Sequence, residues 1–133
     1  MNRTRIQSPL VREPAEGMWS NCLRIGDTIY VSGMTARADD GTSITGADEH
    51  EQSQVIFTKI RNLVEAAGAE MDDVVKMTIY VTNMSHNDQV WKARKEFFSG
   101  DFPACTLVEV SALAKPEILV EIEAIAIAGS HRE

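Results

Sequence analysis

Cysteine, runs of basic residues and long apolar stretches are all scarce in this chain, and each scarcity excludes a class of protein. Only two cysteines, Cys22 and Cys105, occur in 133 residues. They are far apart, form no disulfide framework, and no Cys/His spacing of a metal site accompanies them. Both are expected to be free thiols in a reducing compartment, which makes the cytoplasm the expected location. No stretch approaches the ~18 apolar residues of a membrane span, and the opening "MNRTRIQSPL" lacks the apolar core of a signal peptide. The 13 Lys and Arg residues are scattered and outweighed by 20 Asp and Glu, giving a net charge of −7. A phosphate-reading face needs clustered basic side chains, so neither nucleic acid nor an anionic membrane is an expected partner. No repeat, low-complexity tract or linker interrupts the chain, and residues 1–133 read as one domain.

What is present is a regular alternation of apolar periods. "CLRIGDTIYVSG" reads as a hairpin turning at Gly26-Asp27, with Gly33 ending its second strand. The polar stretch from Ala36 to Gln52 reads as a loop running into a helix start. In "QSQVIFTKIRNLVEAAGA", Ile56, Ile60, Leu63 and Ala67 line one helical face, and Gly68 is placed to close the helix. "VVKMTIYVT" has the period of a strand, with Val75, Met77, Ile79 and Val81 on one side. "NDQVWKARKEFF" is a second helix, with Asn87 or Ser85 as candidate cap and Arg94 as the blemish in its apolar face. "ACTLVEV" and "ILVEIEAIAIA" are further strands, and "RTRI" is a short one. The expected fold is α+β: a β-β-α-β-α-β-β mixed sheet, the short "RTRI" strand aside, with two helices on one face.

Two helices cover one face only. In the last strand Val120, Ile122, Ala124 and Ala126 form one row, and Glu121, Glu123, Ile125 and Ile127 the other. Both rows carry apolar groups, so the second face calls for a partner subunit, and a homo-oligomer is expected. Glu121 and Glu123 face that side, and Glu109 is a third carboxylate in an apolar strand. A carboxylate in a dry site must find donors, find a cation, or shift its pKa upward; such a group can position water or act as a base. Strand-end glutamates that only pair across an interface are the alternative.

At these residues the sequence resembles the RidA/YjgF family of small trimeric proteins, also described as endoribonuclease L-PSP. The segments that carry the resemblance are "IYVSGMTA", "NLVEAAGAEMDDVVKMTIYVTNM", "FPACTLVEVSAL" and "VEIEAIAIA", in the family's order and covering nearly the whole chain. The resemblance implies a chorismate-mutase-like fold and a homotrimer with a central barrel and three intersubunit clefts. It implies cofactor-free hydrolysis of reactive imines and enamines, with no metal. Carried over position by position, the water-orienting glutamate falls on Glu121 and the pocket serine on Ser32. The pocket tyrosine is replaced by Trp19. The arginine that clamps a substrate carboxylate is replaced by Cys105, which offers neither charge nor fork.

Cys105 is therefore either a specificity position, a thiolate nucleophile with Glu121 near it, or a small pocket filler. Trp19 either stacks on a planar ligand or packs at the subunit boundary. Arg37 is a candidate substitute anchor for an anionic ligand, and Arg24 is a further basic group on the first hairpin. Met34 and Met77 read as core or pocket filling. The resulting expectation is a hydrolase or deaminase acting on a small imine, enamine or related C–N compound other than a simple 2-imino acid. A non-catalytic trimer that binds a small metabolite is the alternative; RNA-directed activity is the reading that the acidic charge disfavours.

Overall fold

Alternation of side chains sets the architecture of the computed structural model, which describes residues 2–132. The strands are β1 (Arg3–Ile6), β2 (Cys22–Ile25), β3 (Thr28–Met34), β4 (Val74–Val81), β5 (Ala104–Glu109) and β6 (Val120–Ile127). The helices are α1 (Glu49–Ala66), between β3 and β4, and α2 (Asn87–Phe97), between β4 and β5. The strands form one sheet in the order β1-β2-β3-β6-β4-β5. β4 and β5 pair parallel, as a crossover through α2 requires; the other pairs are antiparallel. No helix among the described residues is long and apolar enough to cross a membrane.

One sheet face packs on the helices. Ile29 and Val31 of β3, Met77 and Ile79 of β4, and Val120, Ile122, Ala124 and Ala126 of β6 are buried there. The predicted α1 stripe supplies Ile56, Ile60 and Leu63, and Phe57 fills the space towards Phe97 and Phe98 of the α2 end. Each of the larger of these side chains, the alanines aside, contributes about 1.5–3 kcal/mol by leaving water. Met34 and Met77 are both in this core, as is Cys22. Burial pushes the Cys22 thiol up to about 11, with the charge of Glu13 adding to the effect.

Three local expectations are corrected. β3 does not end at Gly33: it runs to Met34 through a bulge, because Val31 pairs with Ala124 and Met34 with Ile122, leaving one extra residue on β3. Helix α1 begins before Gln52, because Asp48 caps it by accepting a hydrogen bond from the Glu51 N–H at 2.8 Å. Neither Ser85 nor Asn87 caps α2. Asn83 accepts from the Ser85 N–H at 3.1 Å and starts a 3₁₀ turn, Met84–His86, which runs directly into the helix.

Among the described residues no layer covers the other sheet face. Tyr30, Val108 and Ile127 lie there 45, 38 and 39% exposed, interleaved with Thr78, Tyr80, Glu121 and Glu123.

Candidate active site

The bulge in β3 creates the site. Ser32 and Gly33 sit where the ladder with β6 breaks register. The Ser32 hydroxyl donates to the Ser20 carbonyl at 2.6 Å, and the Ser32 N–H donates to the Asn21 carbonyl at 2.9 Å. These bonds hold the segment that carries Trp19 against the sheet. Its indole N–H donates to Asn21 Oδ1 at 3.3 Å while the ring stays 54% exposed within one chain, which fits either a ligand or a partner subunit against it.

Glu121 comes from β6 on the uncovered face. Its Oε2 lies so close to Gly33 that a β-carbon at position 33 would stand 2.4 Å from it. Gly33 thus leaves the space that the Glu121 carboxylate occupies. Glu121 is half-buried and, among the described residues, no side chain or backbone N–H donates to it. Burial raises its pKa above the ordinary glutamate value, and the neighbouring charge of Glu123 raises it further. Glu123 differs: it is exposed and accepts from the Tyr80 hydroxyl at 2.9 Å. Glu109 accepts from the Met84 N–H at 2.8 Å and so braces the turn before α2.

A cavity of about 370 Å³ opens beside Gly33, bounded also by Trp19, Arg37, Arg12 and Lys59. Arg37 is therefore brought to the site. Arg12 and Lys59 were missed, because nothing in their local sequence separates them from surface cations. Arg24 is not part of the site. It donates to the Ala67 carbonyl at 2.5 Å, at the C-terminal end of α1, and to the Gly26 carbonyl at 2.8 Å, which uses the cation structurally.

Cys105 is placed elsewhere. It pairs with Met77 in the parallel β4–β5 ladder and, like Met77, faces the helices, where it packs half-buried against the core. Glu121 pairs with Tyr80 on the opposite face. The expectation that Glu121 lies near Cys105 therefore fails within one chain, since an odd offset along β4 puts the two on opposite sides. A shared role would require two subunits. Nor does a histidine approach the thiol. His50 bonds Glu96 at 3.1 Å, His86 bonds Glu49 at 2.7 Å, and His131 bonds Asp73 at 2.5 Å and Glu70 at 2.7 Å.

That last group, Glu70, Asp73 and His131, has its ligand atoms within 4.8 Å of one another. The three are already bonded to each other, and Arg132 adds a contact to Glu70 at 3.0 Å. They clasp the C-terminal turn Ser130–Arg132 onto the 3₁₀ turn Met71–Asp73. Burial pushes the Asp73 carboxyl up, but hydrogen bonds from His131 and from the backbone at Glu70 and Gly129 outweigh it and hold the group well below the usual range.

Gln52 is a third residue that pattern reading missed. Buried in α1, it donates to the Glu117 carbonyl at 2.9 Å and the Gly46 carbonyl at 3.2 Å, and accepts from the Leu119 N–H at 3.0 Å. It fixes the entry of β6, two residues before Glu121.

Known proteins share this sequence and shape. The family described as Endoribonuclease L-PSP matches residues 10–128. A 2-iminobutanoate/2-iminopropanoate deaminase of Dermatophagoides farinae is 38% identical over 125 residues, covering 92% of this chain and 94% of that protein. Among solved structures, a protein of unknown function from Pseudomonas aeruginosa is 38% identical with a TM-score of 0.84, covering 96% of this chain and 94% of that one. A Rid-family protein of Yersinia pestis is 32% identical with a TM-score of 0.86, covering 96% of this chain and all of that one, 100%. The six-stranded α+β sheet with its two helices is the chorismate-mutase-like fold of these proteins. The match spans nearly the whole chain, and the chain belongs to the endoribonuclease L-PSP family, the RidA/YjgF proteins.

Proposed function

We propose that the protein is a cofactor-free hydrolase of a small imine or enamine, working in clefts between the subunits of a homotrimer, with Glu121 as the group that positions and deprotonates water. The observation that carries this reading is the state of Glu121: half-buried, with a raised pKa, free of competing donors, and seated against a glycine that leaves it room. A carboxylate in that condition has lone pairs available for a water and is basic enough to take its proton. The water oxygen attacks the C=N carbon, and its proton passes to Glu121. Glu121 returns that proton to the nitrogen, giving a carbinolamine; the nitrogen then takes up the proton that the new hydroxyl gives up, the C–N bond breaks, and ammonia leaves a carbonyl product.

Trp19 offers an aromatic face to the planar C=N system. Ser32 acts by holding the Trp19 segment, since its proton is committed to the Ser20 carbonyl. Cys105 sets specificity: on the helix side of edge strand β5 it provides no fork for a carboxylate placed next to the reacting carbon. The substrate is then something other than a simple 2-imino acid.

The test is ammonia release from a panel of transient imines and enamines. Glu121→Gln is expected to lower kcat roughly 10²- to 10⁴-fold, the usual range for a lost general base. Unchanged turnover would remove Glu121 from this role. Cys105→Arg is expected to gain activity on 2-aminoacrylate. The second reading, a trimer that binds a metabolite without turning it over, is favoured by the missing arginine alone, and any Glu121-dependent turnover disposes of it.

A further inference from the structure

We infer that the cavity bounded by Arg12, Arg37 and Lys59 is an anion-binding subsite that takes a carboxylate or phosphate group of a small ligand, remote from the carbon that reacts. In a chain of net charge −7, three cations converge on one cavity of about 370 Å³. None of the three forms a salt bridge among the described residues, whereas Arg5, Arg24 and Arg132 all do.

Backbone carbonyls of one loop hold them instead. Lys59 donates to the Thr35 and Arg37 carbonyls, each at 2.7 Å, which leaves one of its three N–H groups unused. Arg37 donates to the Gly41 carbonyl at 3.0 Å. The Arg12 guanidinium lies across Gly41 itself, where φ is +80° and any β-carbon would collide with it. Carbonyl dipoles fix the three groups in place but do not neutralise them. Burial lowers the pKa of Lys59, opposed by the charge of Asp39 and helped by that of Arg37. Among the described residues the one carboxylate on the cavity wall, Glu13, is taken up by Arg5 at 2.8 Å, and Asp39 shares only an adjoining cavity with Arg37 and Lys59, without a salt bridge to either. A bound anion would supply the missing countercharge through forked and charge-assisted hydrogen bonds.

Gly33 joins this cavity to Glu121, so an anionic tail here would leave a C=N group near the carboxylate. That link rests on the hydrolase reading; the anion site does not.

The experiment is titration of the full chain with inorganic phosphate and with succinate, read by calorimetry and by the fluorescence of Trp19 in a Trp91→Phe background. Saturable binding is expected, weakened roughly tenfold or more by Arg37→Met, the loss of a charge-assisted contact. Lys59→Met also frees two carbonyls and could loosen the loop, so Arg12→Gln, which removes only a 3.4 Å contact to the Asp39 carbonyl, serves as the second variant. Its binding is expected to weaken similarly. Absence of saturable binding, or equal binding by parent, Arg37→Met and Arg12→Gln, overturns the site. Binding without imine hydrolysis upholds the site and sinks the hydrolase reading; hydrolysis without anion binding does the reverse.

Discussion

Glu121 carries opposite consequences for activity and for stability. Its pKa is raised by burial and by Glu123, so the carboxylate that must accept a proton forms only above the ordinary glutamate range of ~4.3. The acid limb of kcat against pH is expected above that value, and to disappear in any residual activity of Glu121→Gln. For stability the sign is reversed. A carboxyl whose folded pKa exceeds its unfolded one disfavours folding once it ionises, so its cost grows as pH rises from the unfolded value through the folded one. Glu121→Gln is therefore expected to be at least as stable as the parent at pH 7 and indistinguishable from it below the ordinary value. Urea melts at two pH values check this, and a variant less stable at pH 7 would contradict it.

Gly33 belongs to the same argument. Its φ is not positive, so an alanine meets no backbone strain. The obstacle is Oε2 of Glu121 at 2.4 Å from the added carbon, the far end of a flexible side chain. Gly33→Ala is expected to fold with a stability change of about 1 kcal/mol or less, yet to lose most of its kcat, because the carboxylate is what moves. Parent-like kcat in a folded Gly33→Ala would show that the seat of Glu121 does not matter.

At the level of elements, the periods of β6, of α1 and of β4 from Met77 onward were legible because each is decided locally, by which side chains share a face, whereas at the start of β4 a register shift buries Val74 in place of the expected Val75. The bulge was not legible. Alternation in "IYVSGM" reads straight through Ser32 and Gly33, and only pairing with β6 shows that Val31 and Met34 both face inward. The face of Cys105 was hidden for a similar reason: it depends on the parallel register of β5 on β4, which no residue of "FPACTLVEV" specifies alone. The scattered cations were read correctly as sequence and incompletely as structure, since Arg12, Arg37 and Lys59 meet only when the chain is folded.

Gln52 makes the same point and can be tested. Its amide satisfies two carbonyls and one N–H on the segments before α1 and β6. Gln52→Leu keeps the bulk but leaves those backbone groups unpaired, at about 1–3 kcal/mol for a buried orphan. A total loss of about 3 kcal/mol is expected in denaturant unfolding, with a fall in kcat because β6 delivers Glu121. Arg94 offers the contrasting sign. Its guanidinium stacks 4.2 Å over Trp91 and 5.7 Å from Phe102, but among the described residues its Nε is buried without a partner. Arg94→Met is expected to match or exceed the parent in stability, because the lost cation–π contact and the removed orphan donor are of similar size, about 1–2 kcal/mol each.

The whole molecule is decided by the uncovered sheet face. Tyr30, Val108 and Ile127 leave apolar surface on it at 45, 38 and 39% exposure, beside a glutamate that is already half-dehydrated. Such a face in an acidic protein is soluble as an interface and costly as a surface. Cys105 and Glu121 lie on opposite sides of one sheet, so the proposed cleft, if both residues border it, is assembled from two chains and absent from one. Ile127→Asp tests both steps together. Each copy would lose about 1.5–3 kcal/mol of apolar burial and would have to dehydrate a new carboxylate. Sedimentation is expected to show a trimer for the parent and a monomer for the variant at micromolar concentration. The monomer should keep the far-UV spectrum of the fold, because the core on the helix side is untouched, yet show no turnover. A variant that remains trimeric would place the interface on another face, and a monomer that still turned over would place the whole reaction within one chain.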